Sequence, residues 1–266
     1  LPNLGKVYFS NSGYEANEKA FKIVRQLANI DPERKGKYKI LFRDRDYHGT
    51  TIGALSATGQ LQRKQDFGPF AEGFAEFPHP LWYRCPFDRS YPGCNIDCAR
   101  SLEDVILKEG PDTIGGCIVE PITAGGGIIV PVPEYYPILQ QVCNRYGIYL
   151  IMDEVVCGFG RTGKFWGFEQ YDVDPDMVTM AKGLASSYMP LSATVTRGEI
   201  YDKFLCDPSD PEKGINYFRD ISTYGGCAGA TVAALESTRI IEEENLVENS
   251  RVVGEYMLES LQALSD

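Results

Sequence analysis

VTMAKGLASS, residues 178–187, is the stretch on which the fold turns. The apolar run from Met177 to Met180 leads almost directly into Lys182, and Gly183, Ala185, Ser186 and Ser187 after it carry little bulk. A short run of this kind bounded by small residues reads as a buried strand. Ending it on a lysine demands a reason, because a buried ammonium needs a partner or a task. Similar runs recur on both sides. Short stretches at 6–9, 38–42, 114–119, 148–152, 176–180 and 191–196 predict strands. Longer stretches of helical period at about 15–29, 97–109, 134–146, 228–244 and 247–264 predict helices. Alternating strands and helices make an α/β domain with a largely parallel sheet, whose ligands collect at the carboxyl ends of the strands. The stretch 59–97 breaks the alternation. Its Gly, Pro and aromatic residues, without clear period, predict a long ordered excursion over the surface.

The 266 residues carry a formal net charge of −11, which argues against nucleic acid or an anionic membrane as the main partner. At 43% hydrophobic and 24% charged the chain has a globular composition. No apolar run approaches the ~20 residues of a membrane span, and no signal-peptide pattern opens the chain, so a cytoplasmic setting is expected. Cysteines stand at Cys85, Cys94, Cys98, Cys117, Cys143, Cys157, Cys206 and Cys227. Free thiols are their expected state. Cys85, Cys94 and Cys98 cluster in CPFDRSYPGCNIDC, 85–98, where a metal or a disulfide is the alternative, although the spacing matches no zinc pattern well. With only His48 and His79 in the chain, a zinc site built on several histidines is excluded, and a Ser-His-Asp triad would have to use one of the two. The chain opens on Leu1, enters a strand pattern at Val7 and stops just past a helical pattern, so a fragment lacking material on both sides is expected.

Several strand ends carry chemistry. SNSGYEANEKAFK, 10–22, puts a Ser-Gly turn between a strand and a helix, so that backbone N–H groups and the helix dipole meet at Ser12 and Gly13. That is an anion cup suited to phosphate; a plain helix cap by Ser12 is the alternative. RDRDYHGTT, 43–51, delivers Tyr47 and His48, and Tyr47 is able either to stack on a flat ring or simply to plug the sheet end. VEPITAGGG, 119–127, brings Glu120 directly off a buried strand, where a carboxylate needs a partner. IYLIMDEVVCGFGRTG, 148–163, ends five nearly unbroken apolar residues on Asp153 and Glu154. Strand alternation points Asp153 and Val155 one way and Glu154 the other. Asp153 is then a buried acid that requires a cation or hydrogen-bond donors. A buried Lys182 is suited to act as a base or to condense with a carbonyl, and its alternative is a salt bridge with Asp153. Together these groups match the needs of pyridoxal phosphate: a cup for the phosphate, an aromatic on one ring face and a small apolar side chain on the other, an acid for the pyridine nitrogen, and a lysine for the aldehyde.

NSGYEANEKAFK, YHGTTIGALS, VEPITAGGG, DEVVCGFGRTGKF, MAKGLASSYMP and DISTYGGCAGA follow one another across almost the whole chain. In this order they resemble the class III aminotransferases, pyridoxal-phosphate enzymes of fold type I. The resemblance implies a mostly parallel, seven-stranded-type sheet flanked by helices. Residues 1–244 would form the large cofactor-binding domain, and 245–266 the start of a truncated C-terminal domain. It implies that Lys182 joins the cofactor aldehyde, Asp153 pairs with the pyridine nitrogen, and Val155 and Tyr47 cover opposite ring faces. Ser12 and Gly13 would belong to the phosphate cup, with His48 beside the cofactor. Glu120 would hold Asp153 and its neighbours, and Thr223 would reach the phosphate of a second subunit, making a homodimer or a dimer of dimers. Two positions depart from the family pattern. Tyr14 replaces the serine of the usual SGSEA, and Gly226-Cys227-Ala228 replaces Gly-His-Pro.

The second variant, with NYFRDIST before it and RIIEEENL after it, is most similar to the taurine:pyruvate branch of the ω-amino-acid aminotransferases. The expected reaction moves an amino group from an ω-amino acid or amine, taurine first, to pyruvate, giving sulfoacetaldehyde and alanine. A β-alanine or diamine donor, an aminomutase or racemase, and a binding module on the same scaffold are the alternatives. A sulfonate needs an anion clamp; Arg161 is one visible candidate, and a loop salt bridge is its alternative reading.

Overall fold

The computed structural model describes residues 3–205 and 216–264. Its centre is a seven-stranded sheet made of β1 (Lys6–Ser10), β2 (Lys39–Arg43), β3 (Phe74–Phe77), β4 (Ile114–Val119), β5 (Tyr149–Asp153), β6 (Met177–Met180) and β7 (Ser192–Thr196). The spatial order is β1-β7-β6-β5-β4-β2-β3. Only β7 runs against its neighbours, so the other six strands are parallel and deliver their carboxyl ends to one edge. The α/β architecture expected from the alternation is therefore present, and the predicted strands lie within a residue or two of their expected ends.

Two cores form because a strand alternates its side chains between faces. Leu41, Cys117, Val119, Leu150, Met152 and Val178 pack on one face, under α4 (Asp97–Glu109) and α5 (Tyr135–Tyr146). Ile40, Phe42, Ile118, Ile151 and Met177 pack on the other, under α1 (Gly13–Ile30). Helix α1 buries Ala16, Ala20, Phe21, Val24, Leu27 and Ala28 at three- and four-residue spacings. Continuing the alternation past the strand ends assigns the site. Thr179 and Asp153 fall on the α1 side, while Arg43 and Glu154 fall on the other.

The excursion expected over 59–97 is corrected at its centre. FAEF forms β3, paired in parallel with β2 from Ile40–Phe74 to Arg43–Phe77. Four residues are too few to display a period of two, and this strand closes the sheet edge through tertiary pairing. Helices α2 (Ile52–Ser56), α3 (Leu61–Lys64) and α6 (Gly198–Asp202) are likewise too short for a helical period to show. The last helices are α7 (Ala228–Glu243) and α8 (Leu246–Gln262). Helix α8 buries none of its residues and exposes Val253, Tyr256, Met257 and Leu261. No helix among the described residues is long and apolar enough to cross a membrane. Cys206 lies outside the described residues.

Candidate active site

Asp153 ends β5 almost fully buried, with 2% of its surface exposed. Its Oδ2 lies 2.7 Å from His48 Nδ1 and accepts from Asn17 Nδ2 at 2.8 Å, and its Oδ1 accepts from the Val155 amide at 3.0 Å. Asn17 also donates to the His48 carbonyl at 2.8 Å and accepts from Thr179 Oγ1 at 2.6 Å. Thr179 is the β6 residue in register with Asp153, so one amide side chain ties α1, two strands and the His48 loop together. Burial alone would lower the proton affinity of His48. The hydrogen bond and charge of Asp153, with Asp46 and Glu120 behind, outweigh burial and hold the imidazole above its usual pKa. His48 Nε2 is buried and has no partner.

Lys182 is placed differently from the expectation. It is exposed, not buried, and makes no hydrogen bond or ion pair with Asp153. Asp153 already has His48, Asn17 and Val155 on three of its roughly four lone-pair positions, and its charge is met by His48, so it does not depend on the lysine. The chain leaves β6 through an extended Ala181 and turns at Lys182 with φ of 41°, a left-handed conformation unusual for a residue with a Cβ. Such strain persists where the surroundings impose it, often at functional sites. The small residues that follow have a packing reason. A Cβ on Gly183 would stand 2.9 Å from Phe159 Cβ, and Ala185 joins Leu191, Ala230 and Ala234 in a tight cluster under α7.

Ser12 takes the N-cap position of α1, but its hydroxyl caps nothing. Glu15 instead accepts the amides of Asn11 (2.7 Å) and Ser12 (2.9 Å), which leaves Ser12 Oγ buried without a partner. Gly13 lies directly on Val155, since an added Cβ would meet both of its methyl groups at 3.0 Å. The helix start, Val155 and Asp153 therefore form one continuous surface.

The end of β2 is locked by a buried cluster. Arg43 is completely buried on the α5 side, where its guanidinium reaches Asp46 Oδ1 (3.0 Å), the Glu120 carbonyl (2.6 Å), Thr123 Oγ1 (3.0 Å) and the Tyr136 hydroxyl (3.0 Å). Asp46 Oδ2 accepts the Glu120 amide at 3.0 Å, and Glu120 accepts the amides of Tyr47 (2.8 Å) and Ala124 (3.1 Å). Glu120 thus holds Tyr47 rather than Asp153, with which it makes no hydrogen bond. Burial first, then the charges of Asp46 and Asp153, push its carboxyl up to about 8. Glu154 points to the opposite face and accepts the amides of Gly167 (2.9 Å) and Phe168 (2.8 Å); burial pushes it up to about 8 as well. Removing Arg43 strands Asp46 as an uncompensated buried charge. Arg43→Ala is expected to cost about 3–5 kcal/mol in denaturant unfolding, and Arg43→Met combined with Asp46→Leu less than that. A single-variant loss under about 1 kcal/mol would show that the pair does not hold the strand ends.

Tyr47 is half-buried, with the Arg63 guanidinium 4.5 Å from its ring centroid. Thr223 is exposed on a turn whose neighbours are tied down: Asn11 donates to Ser222 Oγ at 3.0 Å, and Lys19 and Lys22 hold Asp220 at 2.6 and 2.7 Å. Arg161 is exposed and makes no salt bridge among the described residues, so its loop-ion-pair reading fails there. The structure brings Ser12, Gly13, Tyr47, His48, Glu120, Asp153 and Val155 to one sheet edge, with Lys182 at the end of the adjoining strand. Sequence reasoning missed Asn17, Thr179, Asp46 and Arg43. Asn17 had left a signal, as a polar residue on the apolar stripe of α1, four residues before Phe21 and seven before Val24.

The sequence pattern of the family described as Aminotransferase class-III matches residues 1–266. A taurine–pyruvate aminotransferase of Bilophila wadsworthia is 53% identical over 264 residues, covering 99% of this chain and 57% of that protein. The crystal structure of a Bacillus anthracis aminotransferase superposes with a TM-score of 0.90 at 43% identity, over 97% of this chain and 57% of that one. An omega transaminase from Pseudomonas jessenii, solved in complex with PMP, gives a TM-score of 0.91 at 36% identity, over 99% of this chain and 57% of that one. The chain spans about 57% of the length of these relatives. By its motifs, its sheet topology and these likenesses, this chain belongs to the class III aminotransferases.

Proposed function

We propose that the full protein is a pyridoxal-phosphate transaminase that takes the amino group of an ω-amino acid, taurine by preference, and gives it to pyruvate. The observation that carries the reading is the continuous surface from the unpartnered Ser12 hydroxyl, across Gly13 and Val155, to the buried Asp153–His48 pair. These residues fit the cofactor. A buried hydroxyl at a helix N-terminus suits a phosphate, Val155 and Tyr47 suit the two ring faces, and a carboxylate with three donors stays available to a ring nitrogen. When bound, pyridoxal phosphate supplies a carbonyl for the amino group and an electron-poor ring. Asp153, oriented by Asn17 and His48, would hold a proton on the cofactor's ring nitrogen. Lys182, exposed at the end of β6, would supply the amine that holds the cofactor's aldehyde and the base that moves a proton at the donor carbon.

The taurine donor rests on the 53% identity to the Bilophila enzyme. Thr223, exposed beside the pinned Asp220 segment, would reach the cofactor phosphate of a second subunit in a homodimer or dimer of dimers. The exposed apolar side chains of α8 support reading residues 1–244 as the cofactor domain and 245 onward as the opening of a second one. The seven free thiols among the described residues accord with a cytoplasmic setting.

The direct test is the visible spectrum of the full-length protein with pyridoxal phosphate. Taurine alone should bleach the band and pyruvate should restore it. A band indifferent to taurine but responsive to β-alanine or putrescine would overturn the donor. Tyr47→Ala should loosen the cofactor roughly three- to tenfold in equilibrium dialysis, the worth of one aromatic contact. An unchanged affinity would remove Tyr47 from the ring face.

A further inference from the structure

The cysteine cluster noted in the sequence lies outside the residues assigned to the proposed reaction, and the fold gathers it. Cys85, Cys94 and Cys98 line one cavity of about 20 Å³ with His79 and Ile96, room for about one water molecule. All three are half-buried free thiols. Cys98 sits in the first turn of α4 and Cys94 just before it, joined by left-handed turns at Asn95 (φ 51°) and Ile96 (φ 54°), while Cys85 follows the turn at Trp82–Arg84. Burial, then the nearby sulfurs of Cys94 and Cys85, push the Cys98 thiol up to about 11, so it stays protonated at neutral pH. The two loop cysteines, unlike Cys98, are not held in a helix. Among the other described cysteines, Cys117, Cys143 and Cys157 are buried, and Cys227 is exposed.

We propose that this cluster is an oxidant-responsive site at which a hydroperoxide closes a disulfide between Cys85 and Cys94, tethering the loop over the cavity to the start of α4. The thiolate of one cysteine attacks the terminal peroxide oxygen; the O–O bond breaks, and the leaving alkoxide or hydroxide takes a proton. The second sulfur then attacks the resulting sulfenic sulfur, and the S–O bond breaks with loss of water. The peroxide is reduced by two electrons, and the two thiols are oxidised.

Full-length protein is treated with hydrogen peroxide, alkylated and digested with trypsin. Residues 85–89 and 90–100 fall on separate peptides, because cleavage follows Arg84, Arg89 and Arg100. The expected product is these two peptides joined, reversed by dithiothreitol, with a loss of two free thiols per chain. The link should persist in Cys98→Ser and vanish in Cys94→Ser. No joined peptide, oxidation confined to Cys227, a bridge closed within 90–100, or a link that survives Cys94→Ser would each overturn the assignment. Fragmentation of the joined wild-type peptide places the link on Cys94 or on Cys98, which share residues 90–100, and a link on Cys98 would overturn the assignment; the result then does not depend on a variant folding.

Discussion

Lys182→Ala in the full-length protein is expected to lose transaminase turnover by roughly ten-thousandfold or more, since under the proposed function this one side chain would supply both the carbonyl-binding amine and the proton carrier. The same change should alter stability by no more than about 0.5 kcal/mol. The side chain is exposed and makes no ion pair with Asp153, so its removal strands no buried charge. The backbone strain at φ 41° is no worse for alanine than for lysine. This separation of effects is the test. A structural lysine would show the reverse pattern, with lowered stability and retained activity. Turnover within tenfold of wild type would remove Lys182 from the chemistry.

Asp153→Asn is expected to reduce turnover at least about a hundredfold, because under the proposed function a neutral amide there would not hold a proton on the ring nitrogen. It also acts on His48. The imidazole is held above its usual pKa by Asp153 against the opposing effect of burial; with the charge removed, burial dominates and its pKa should fall below the usual range. The sign of the stability effect follows. A histidine with a raised folded-state pKa contributes stability that is fully present below the unfolded value of about 6.5 and is lost as the pH rises through the raised value. In the variant the sign reverses, and acidification through the same range destabilises. The stability gap between wild type and Asp153→Asn should therefore be wide near pH 6 and narrower near pH 9. Denaturant unfolding at both values measures it, and NMR of the two histidines gives the His48 shift directly. A gap independent of pH would mean that the 2.7 Å contact is not an ion pair.

Much of this was legible because the information is local. Short apolar runs that end on Asp153, or just before Glu120, encode strands and strand ends, and the two-residue period along β5 places Asp153 and Glu154 on opposite faces without any knowledge of neighbours. Lys182 was misplaced in depth for the same reason. Local sequence shows that a strand leads to it, but its exposure depends on whether Asp153 still needs a partner, and Asn17 and His48 had already met that need from 136 and 105 residues away. Arg43 illustrates the limit from the other side. Its charge is compatible with burial only because Asp46, Glu120, Thr123 and Tyr136 converge on it from three separate segments. β3 was hidden because four residues cannot show a period, and it exists by pairing with β2.

Propensity and periodicity act over neighbouring residues, so the amino-acid order alone carries the α/β class, the positions of six strands and five long helices, the order of the motifs, and which residue types stand at the strand ends. The tertiary structure alone decided which of these groups meet: that Ser12 caps nothing, that Glu120 serves Tyr47, that Asp153 is held by Asn17, and that three cysteines share one small cavity. Hydrogen bonds and buried charges are settled between partners far apart in the chain, and only the folded sheet brings those partners within reach.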